Sequence, residues 1–169
     1  MTSMGARIAE GSFRSKGNAM KKWKVGLAGL SRGRGFVRLF DAHPDVEIAA
    51  LCDINHAKLA DVGAAFKLPD GRLFTDYASF VNAPLDIVVI ATPIAFHAEQ
   101  TIAALESGKH VLCEQTAAYT VADCGRIVDT VKETGLAYMM AENYCYFHFV
   151  REWRKLVEAG KIGRIYYAE

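Results

Sequence analysis

Short apolar runs alternate with longer amphipathic stretches from Lys24 onwards, which is typical of βα units built around a parallel sheet. The run DIVVIA, Asp86–Ala91, is rich in β-branched residues and predicts a central strand that helices cover on both faces. The predicted strands are Val25–Ala28, Val46–Cys52, Leu73–Thr75, Asp86–Ala91, His110–Cys113 and Leu136–Ala141. The pattern therefore predicts an α/β fold with a doubly wound parallel sheet.

The stretches that connect the strands carry apolar residues at helical spacing, which predicts amphipathic helices packed on the sheet. Gly108 and Gly135 are suited to the left-handed position that ends a helix, and Thr120 with Asp123 resembles a capping box. The predicted apolar faces are Phe36, Val37, Leu39 and Phe40; Leu59, Val62 and Phe66; Ala98–Leu105; Cys124, Ile127, Val128 and Val131; and Phe149, Val150, Trp153, Leu156 and Val157.

A chain of 169 residues fits one domain of ordinary size. We interpret residues 1–21 as a disordered leader or a cloning remnant, with Met20 as an alternative start, and residues 22–145 as a nucleotide-binding domain. Residues 146–169 are predicted to form a helix and a strand that lead into a missing C-terminal substrate domain. The strand is assigned to Arg164–Ala168 because this run is β-branched and aromatic, and its unpaired edge would need a covering domain.

The composition narrows the function classes. Hydrophobic residues make up 51% and charged residues 23%, as in ordinary globular proteins, and the net charge of +1 gives no reason to expect nucleic acid as a partner. Residues 1–19 contain no apolar stretch long enough for a signal sequence or a membrane span. The four cysteines form no CxxC pair, which favours reduced core residues, no metal site and a cytoplasmic location.

The turn after the first strand is rich in glycine. Its sequence is GLSRGRG, and it lies where a dinucleotide fingerprint GxGxxG would follow a strand and open a helix. Glycines there bring backbone N–H groups close to a pyrophosphate. The strict pattern fails at Ser31 and Arg34, and a purely structural tight turn is the alternative. The candidate contacts in this turn are Gly29, Leu30, Ser31, Gly33 and Arg34.

Asp53 supports nucleotide binding because it ends the second predicted strand 24 positions after Gly29. A carboxylate at that place accepts hydrogen bonds from the adenosine ribose and repels a 2′-phosphate, which favours NAD over NADP. His56 and Lys58 lie nearby and keep NADP open as the less favoured cofactor. The alternative for Asp53 is a turn residue without a ligand.

Other candidate contacts follow the central and fifth strands, at the sheet edge where open α/β sheets bind ligands. Thr92 and Pro93 follow the central strand, and Glu114 and Gln115 follow the fifth. His97 opens the next helix, either as a contact or as a turn residue without chemistry. Together with the glycine turn, these positions predict a Rossmann-type sheet.

The assembled features resemble the Gfo/Idh/MocA family of oxidoreductases from about Lys22 to the C-terminus. The resemblance implies an NAD(P)-dependent enzyme with an N-terminal Rossmann domain and a C-terminal α/β substrate domain. Members usually carry Glu-Lys-Pro after the fifth strand, where the lysine helps proton transfer. This chain has Glu114-Gln115-Thr116, and a glutamine cannot replace an ammonium as a proton donor.

A closer likeness is to the NAD-dependent glycoside hydrolase branch, which has Glu-Val-Pro-Ala-Ala where this chain has residues 114–118. That branch oxidises a sugar hydroxyl transiently and recycles NAD in each turnover. The resemblance implies cofactor contacts for Gly29, Asp53, Thr92, Glu114 and Asn143. Three hypotheses follow: an oxidoreductase acting on a sugar, polyol or related hydroxyl compound, a glycoside hydrolase that uses NAD, and a non-catalytic Rossmann binding protein. A sugar-like small molecule is the expected partner, and a homo-oligomer is compatible with all three.

Overall fold

A computed structural model describes residues 21–167. Its strands are β1 Trp23–Ala28, β2 Val46–Cys52, β3 Leu73–Phe74, β4 Ile87–Ile90, β5 His110–Cys113 and β6 Tyr138–Met140. All of them pair in parallel, in the spatial order β3-β2-β1-β4-β5-β6. The order reverses between β1 and β4, which is the switch point of a doubly wound Rossmann sheet. The predicted fold class is confirmed.

The helices are α1 Leu30–Asp41, α2 His56–Ala65, α3 Tyr77–Val81, α4 His97–Glu106, α5 Val121–Thr134 and α6 His148–Glu158. Short 3-10 turns cover Asp70–Arg72, Ile94–Phe96 and Tyr144–Tyr146. Among the described helices, none combines the length and the apolarity of a membrane span.

The strands alternate their side chains between two core clusters, one on each face of the sheet. In β4, Val89 packs with α1 and α2 residues such as Val37 and Val62. Its neighbours Val88 and Ile90 belong to the cluster that contains Phe80 of α3 and the end of α4. The central strand is therefore buried on both faces, as the DIVVIA run predicts.

Two residues predicted on the apolar faces of α1 and α5 are exposed, so those assignments are wrong. Leu39 is 70% exposed because the buried stripe of α1 runs through Leu30, Gly33 and Val37, which puts Leu39 on the opposite side. Val128 is 50% exposed because Ile127, one position earlier, faces the core instead. Helix α6 forms as predicted, yet it contains no buried residue.

The predicted strand at Arg164–Ala168 is wrong over residues 164–167, which have no regular structure, and Ala168 lies outside the described residues. A strand requires a hydrogen-bonded neighbour, and within residues 21–167 the sheet ends at β6. Residues 1–20, most of the predicted leader, also lie outside the described part. The described residues contain this one sheet and no second domain.

Candidate functional site

Two cavities lie at the carboxyl ends of the strands, on either side of a wall formed by Ala91, Thr92 and Pro93 after β4. The first, of about 520 Å³, is bounded by the ends of β1 and β2, and we call it the β2-side cavity. The second, of about 510 Å³, lies toward the end of β5 and is called the β5-side cavity. Together they form a cleft across the switch point, where open α/β sheets bind ligands.

Gly29 places bare backbone in this cleft. Its φ is +86°, and a Cβ built on it would lie 2.5 Å from the carbonyl carbon and oxygen of Ala91 and 2.6 Å from the nitrogen of Thr92. Both the backbone conformation and the close approach therefore require glycine. The turn can pass this close to the β4 end only because the side chain is missing.

The other predicted residues of the turn lie at different depths. Ser31 lines the β2-side cavity, whereas Leu30 buries its side chain in the core and offers its backbone N–H to Asp53. Gly33 packs near Ala91 at the start of α1. Arg34 points to α2, where its guanidinium donates to Asp61 Oδ2 at 2.9 Å, and it lines neither cavity.

Asp53 is fixed at the end of β2 by two backbone donors. Its Oδ2 accepts from Leu30 N at 2.7 Å and its Oδ1 from Asn55 N at 2.9 Å, and its side chain is only 9% exposed. The Lys58 ammonium lies 4.0 Å from Asp53 Oδ2 and donates to the Ser31 hydroxyl. An anchored carboxylate and an ammonium therefore meet at one corner of the β2-side cavity, whereas His56 does not line it.

Sequence reasoning missed several residues of the β2-side cavity. Ile54 is 87% exposed directly after Asp53, and Phe96 is more than half exposed across the cavity. Tyr77 donates its hydroxyl hydrogen to the carbonyl oxygen of Gln100 at 2.8 Å, and burial raises the pKa of Tyr77, so the phenol stays protonated. The exposed apolar residue after Asp53 was a usable signal, but Tyr77 of α3 and Phe96 of a 3-10 turn are brought to the cavity only by the fold.

The cavity offers no reactive thiol and no metal site. Burial is the largest cause that raises the pKa of Cys52 to about 12, so this residue of the β2-side cavity is a neutral thiol at physiological pH. Within residues 21–167 no group of three His, Cys, Asp or Glu side chains could hold a metal ion.

Arg32, also missed from the sequence, links the glycine turn to the end of β5. Its Nε donates to Glu114 Oε1 at 3.1 Å, and Glu114 Oε2 accepts from the backbone N of Gln115 at 2.8 Å. Arg32, Glu114 and Gln115 all line the β5-side cavity. The predicted Glu-Gln pair thus lies at the cleft, with the glutamate oriented by the arginine and the glutamine side chain exposed.

His97 and Asn143 line neither cavity. His97 is 1% exposed, and its ring contacts the carbonyl oxygens of Thr92 and Thr116 beneath the cleft. Asn143 precedes the 3-10 turn Tyr144–Tyr146 and is exposed. The prediction that these two residues contact a cofactor stays a prediction.

A family model described as "Oxidoreductase family, NAD-binding Rossmann fold" matches residues 23–142. Glycosyl hydrolase family 109 protein 2 of Phocaeicola vulgatus is 32% identical over 155 residues, which cover 86% of this chain and 37% of that protein. D-xylose 1-dehydrogenase (NADP(+)) of Hypocrea jecorina is 35% identical over 126 residues, 71% of this chain and 32% of that protein.

Among solved structures, scyllo-inositol dehydrogenase from Lactobacillus casei with bound NAD(H) and scyllo-inositol aligns with a TM-score of 0.78 and 25% identity. The alignment covers 86% of this chain and 43% of that one. This chain thus spans roughly a third to two fifths of each of these three proteins. The family match includes all six strands and both cavities, and the chain belongs to the Gfo/Idh/MocA oxidoreductase family through its NAD-binding Rossmann fold.

Proposed function

We propose that this chain binds NAD in the cleft and that, within a longer protein, it serves hydride transfer at a hydroxyl-bearing carbon of a sugar or polyol. The observation that carries the proposal is the bare backbone at Gly29, where a Cβ would collide with Ala91, beside the anchored carboxylate of Asp53. A dinucleotide needs both features, close backbone approach for its pyrophosphate and an acceptor for its ribose hydroxyls.

The two cavities would hold different parts of the cofactor. Asp53 would accept from the adenosine ribose, and the exposed apolar side chains of Ile54 and Phe96 suit an adenine ring. The start of α1 offers N–H groups and the positive end of a helix dipole to the pyrophosphate. Arg32 and Glu114 would face the nicotinamide half. When bound, NAD supplies a carbon that accepts or donates a hydride.

The position of Asp53 in the β2-side cavity favours NAD over NADP. Asp53 cannot swing aside because both of its oxygens accept from backbone N–H groups, and its negative charge would repel a 2′-phosphate. The positive charge of Lys58 nearby would attract a 2′-phosphate, but its ammonium is hydrogen-bonded to the Ser31 hydroxyl. The relatives include one protein with NAD(H) bound and one named for NADP, so the preference is a property to be measured in this chain.

Isothermal titration calorimetry of the 169-residue chain with NAD and with NADP tests the proposal. We expect saturable binding of NAD and weaker binding of NADP. Because catalysis needs the longer protein, the chain alone should turn over no substrate. An absence of heat at millimolar NAD would contradict the proposal and favour a Rossmann domain that binds other partners without catalysis.

A second candidate function is glycoside cleavage with transient hydride transfer. It is favoured by Gln115, which lines the β5-side cavity without a side chain that titrates, and by the relative named a glycosyl hydrolase. The test is release of the chromophore from a panel of aryl glycosides by the full-length protein. Chromophore release without net NADH supports cleavage, whereas substrate-dependent accumulation of NADH supports ordinary dehydrogenation.

We also propose that the protein works in the cytoplasm and acts on a sugar-like small molecule. All four cysteines are free, and two of them, Cys52 and Cys113, are buried, which suits a reducing compartment. Burial raises the pKa of Cys113 to about 11, so this thiol is also protonated and unreactive. Fractionation of cells that express the full-length protein would test the location.

A further inference from the structure

His97 is the first residue of α4, and its buried ring lies between two backbone carbonyl groups. Nε2 is 2.8 Å from the oxygen of Thr92, and Nδ1 is 2.7 Å from the oxygen of Thr116. A neutral imidazole donates through one nitrogen, and a ring with protons on both nitrogens donates to both carbonyl groups. In the neutral ring only one of the two oxygens therefore receives a hydrogen bond, but in both states the ring fills the space between the two carbonyl groups and contacts both.

The two carbonyl groups belong to loops that form opposite sides of the β5-side cavity. Thr92 belongs to the loop after β4, and Thr116 follows Glu114 and Gln115 in the loop after β5. The ladder between β4 and β5 continues as far as the bond from Glu114 N to Ile90 O, at 2.8 Å. Beyond that bond the strands diverge into their loops, and the His97 ring joins the two.

The Thr92 side of this connection is itself held in place. The Thr92 hydroxyl donates to Gln100 Oε1 at 2.6 Å, and Gln100 lies one turn after His97 on the same helix. Helix α4 thus contacts the β4 loop at two places, the Thr92 carbonyl and the Thr92 hydroxyl. Through the second nitrogen of His97, the same helix also contacts the β5 loop.

We propose that His97 is a positioning residue that sets the separation of the β4 and β5 loops, and with it the fit of the β5-side cavity to the nicotinamide half of the cofactor. The inference rests on the proposed binding of NAD and assigns His97 no contact with it. It predicts that His97 matters more for the nicotinamide half than for the adenosine half, because the loop after β5 lines the β5-side cavity alone, whereas Thr92 lines both cavities.

The test compares variants of the full 169-residue chain by calorimetry with NAD and with AMP, which probes the β2-side cavity alone. His97→Phe keeps a ring and loses both polar contacts, and His97→Gln restores one amide donor. Leu105→Ala is the matched control, because Leu105 is a buried α4 residue that packs in a cluster with strand residues such as Val88 and Val111 and with no residue of either loop.

We expect His97→Phe to raise the dissociation constant for NAD about tenfold, the effect of losing a buried hydrogen bond, and to change that for AMP less than twofold. His97→Gln should recover part of the loss. Leu105→Ala should lower the melting temperature and leave both constants unchanged. Hydrogen exchange of residues 114–119 should accelerate in His97→Phe, while that of β1 and β2 stays the same.

Equal NAD affinity in His97→Phe and the wild-type chain, or an equal loss for NAD and AMP, would overturn the inference. If the wild-type chain gave no heat with NAD, the proposed function would fail by itself. Hydrogen exchange would then be the test of His97. Unchanged protection of residues 114–119 in His97→Phe would show that His97 does not connect the two loops. If His97→Phe did not fold, the comparison of His97→Gln with Leu105→Ala would apply the same criteria.

Discussion

At the scale of single residues, Gly29 and Gly35 belong to the same turn and helix but meet different surroundings. A Cβ at Gly29 would overlap the carbonyl group of Ala91, and its φ is unfavourable for any other residue, whereas nothing lies within 4 Å of a Cβ at Gly35. The glycine-rich turn therefore contains one glycine that the fold requires and one that it tolerates.

We predict opposite effects for Gly29→Ala and Gly35→Ala. Gly29→Ala should destabilise the chain by about 1–3 kcal/mol, the cost of a strained left-handed residue, and should abolish NAD binding because the turn must move. Gly35→Ala, in the interior of α1, should stabilise the chain by about 0.5–1 kcal/mol. Thermal unfolding and calorimetry measure both. Unchanged NAD affinity in Gly29→Ala would show that the turn does not approach the ligand.

Cofactor preference should shift with the two charges at the end of β2. Asp53→Asn removes the charge that repels a 2′-phosphate and leaves Lys58, so the ratio of NADP to NAD affinity should rise at least about tenfold. Lys58→Ala should lower that ratio. The control is Asp61→Asn, since Asp61 pairs with Arg34 away from both cavities. If the ratio of NADP to NAD affinity stayed constant in both variants, Asp53 and Lys58 would not be part of the binding site.

The sequence could predict the residues of the cleft that belong to local patterns. The position of Gly29 follows from a glycine turn after a strand, and that of Asp53 from the end of the next strand. Arg32 and Tyr77 could not be found in this way, because their partners Glu114 and Gln100 lie far along the chain. His97 was placed at the start of a helix, but its burial beneath two loops depends on the packing of α4.

At the scale of elements, the sequence predicts strands and helices well where they are long and periodic, and less well where they are short. The helix α3, with five residues, was missed, although Asp76 accepts from Ser79 N at 2.7 Å as its cap and Phe80 is fully buried. The sixth strand is shorter than predicted, Tyr138–Met140, since its length is set by pairing with β5. The capping contact between Thr120 and Asp123 is confirmed at α5.

The cap of α3 predicts a pH dependence of stability. The backbone N–H of Ser79 is the main cause that lowers the pKa of Asp76, so its carboxylate favours the folded state above the unfolded pKa of about 4. This contribution is lost as the pH falls through the folded pKa. Asp76→Asn keeps the capping oxygen but does not titrate, so its melting temperature relative to wild type should rise as the pH falls from 7 to 3.

The companion variant Asp76→Ala has no capping oxygen and should be less stable than Asp76→Asn throughout this pH range. Melting temperatures of all three proteins in the same buffers separate the cap from its charge. If the difference between wild type and Asp76→Asn were the same at pH 7 and pH 3, the carboxylate would contribute no charge-dependent stability to α3.

At the scale of the whole molecule, the cleft joins the two halves of the sheet. The β2-side cavity is bounded by the half that contains β1 and β2, the β5-side cavity reaches β5, and the loop after β4 separates them. A dinucleotide that occupies both would contact elements far apart in sequence. Its binding energy should therefore stabilise the domain as a whole against unfolding rather than order one loop.

This leads to a quantitative prediction for thermal unfolding with NAD. A ligand that binds only the folded state adds about 2.7 kcal/mol at one hundred times its dissociation constant, which for a domain of this size raises the melting temperature by roughly 5–10 °C. AMP would occupy only the β2-side cavity, so it should raise the melting temperature only in proportion to its weaker affinity. Hydrogen exchange should slow in β1, β2, β4 and β5 together. Protection confined to the glycine turn would mean that the ligand binds one half of the sheet, and the two cavities would then not act as one site.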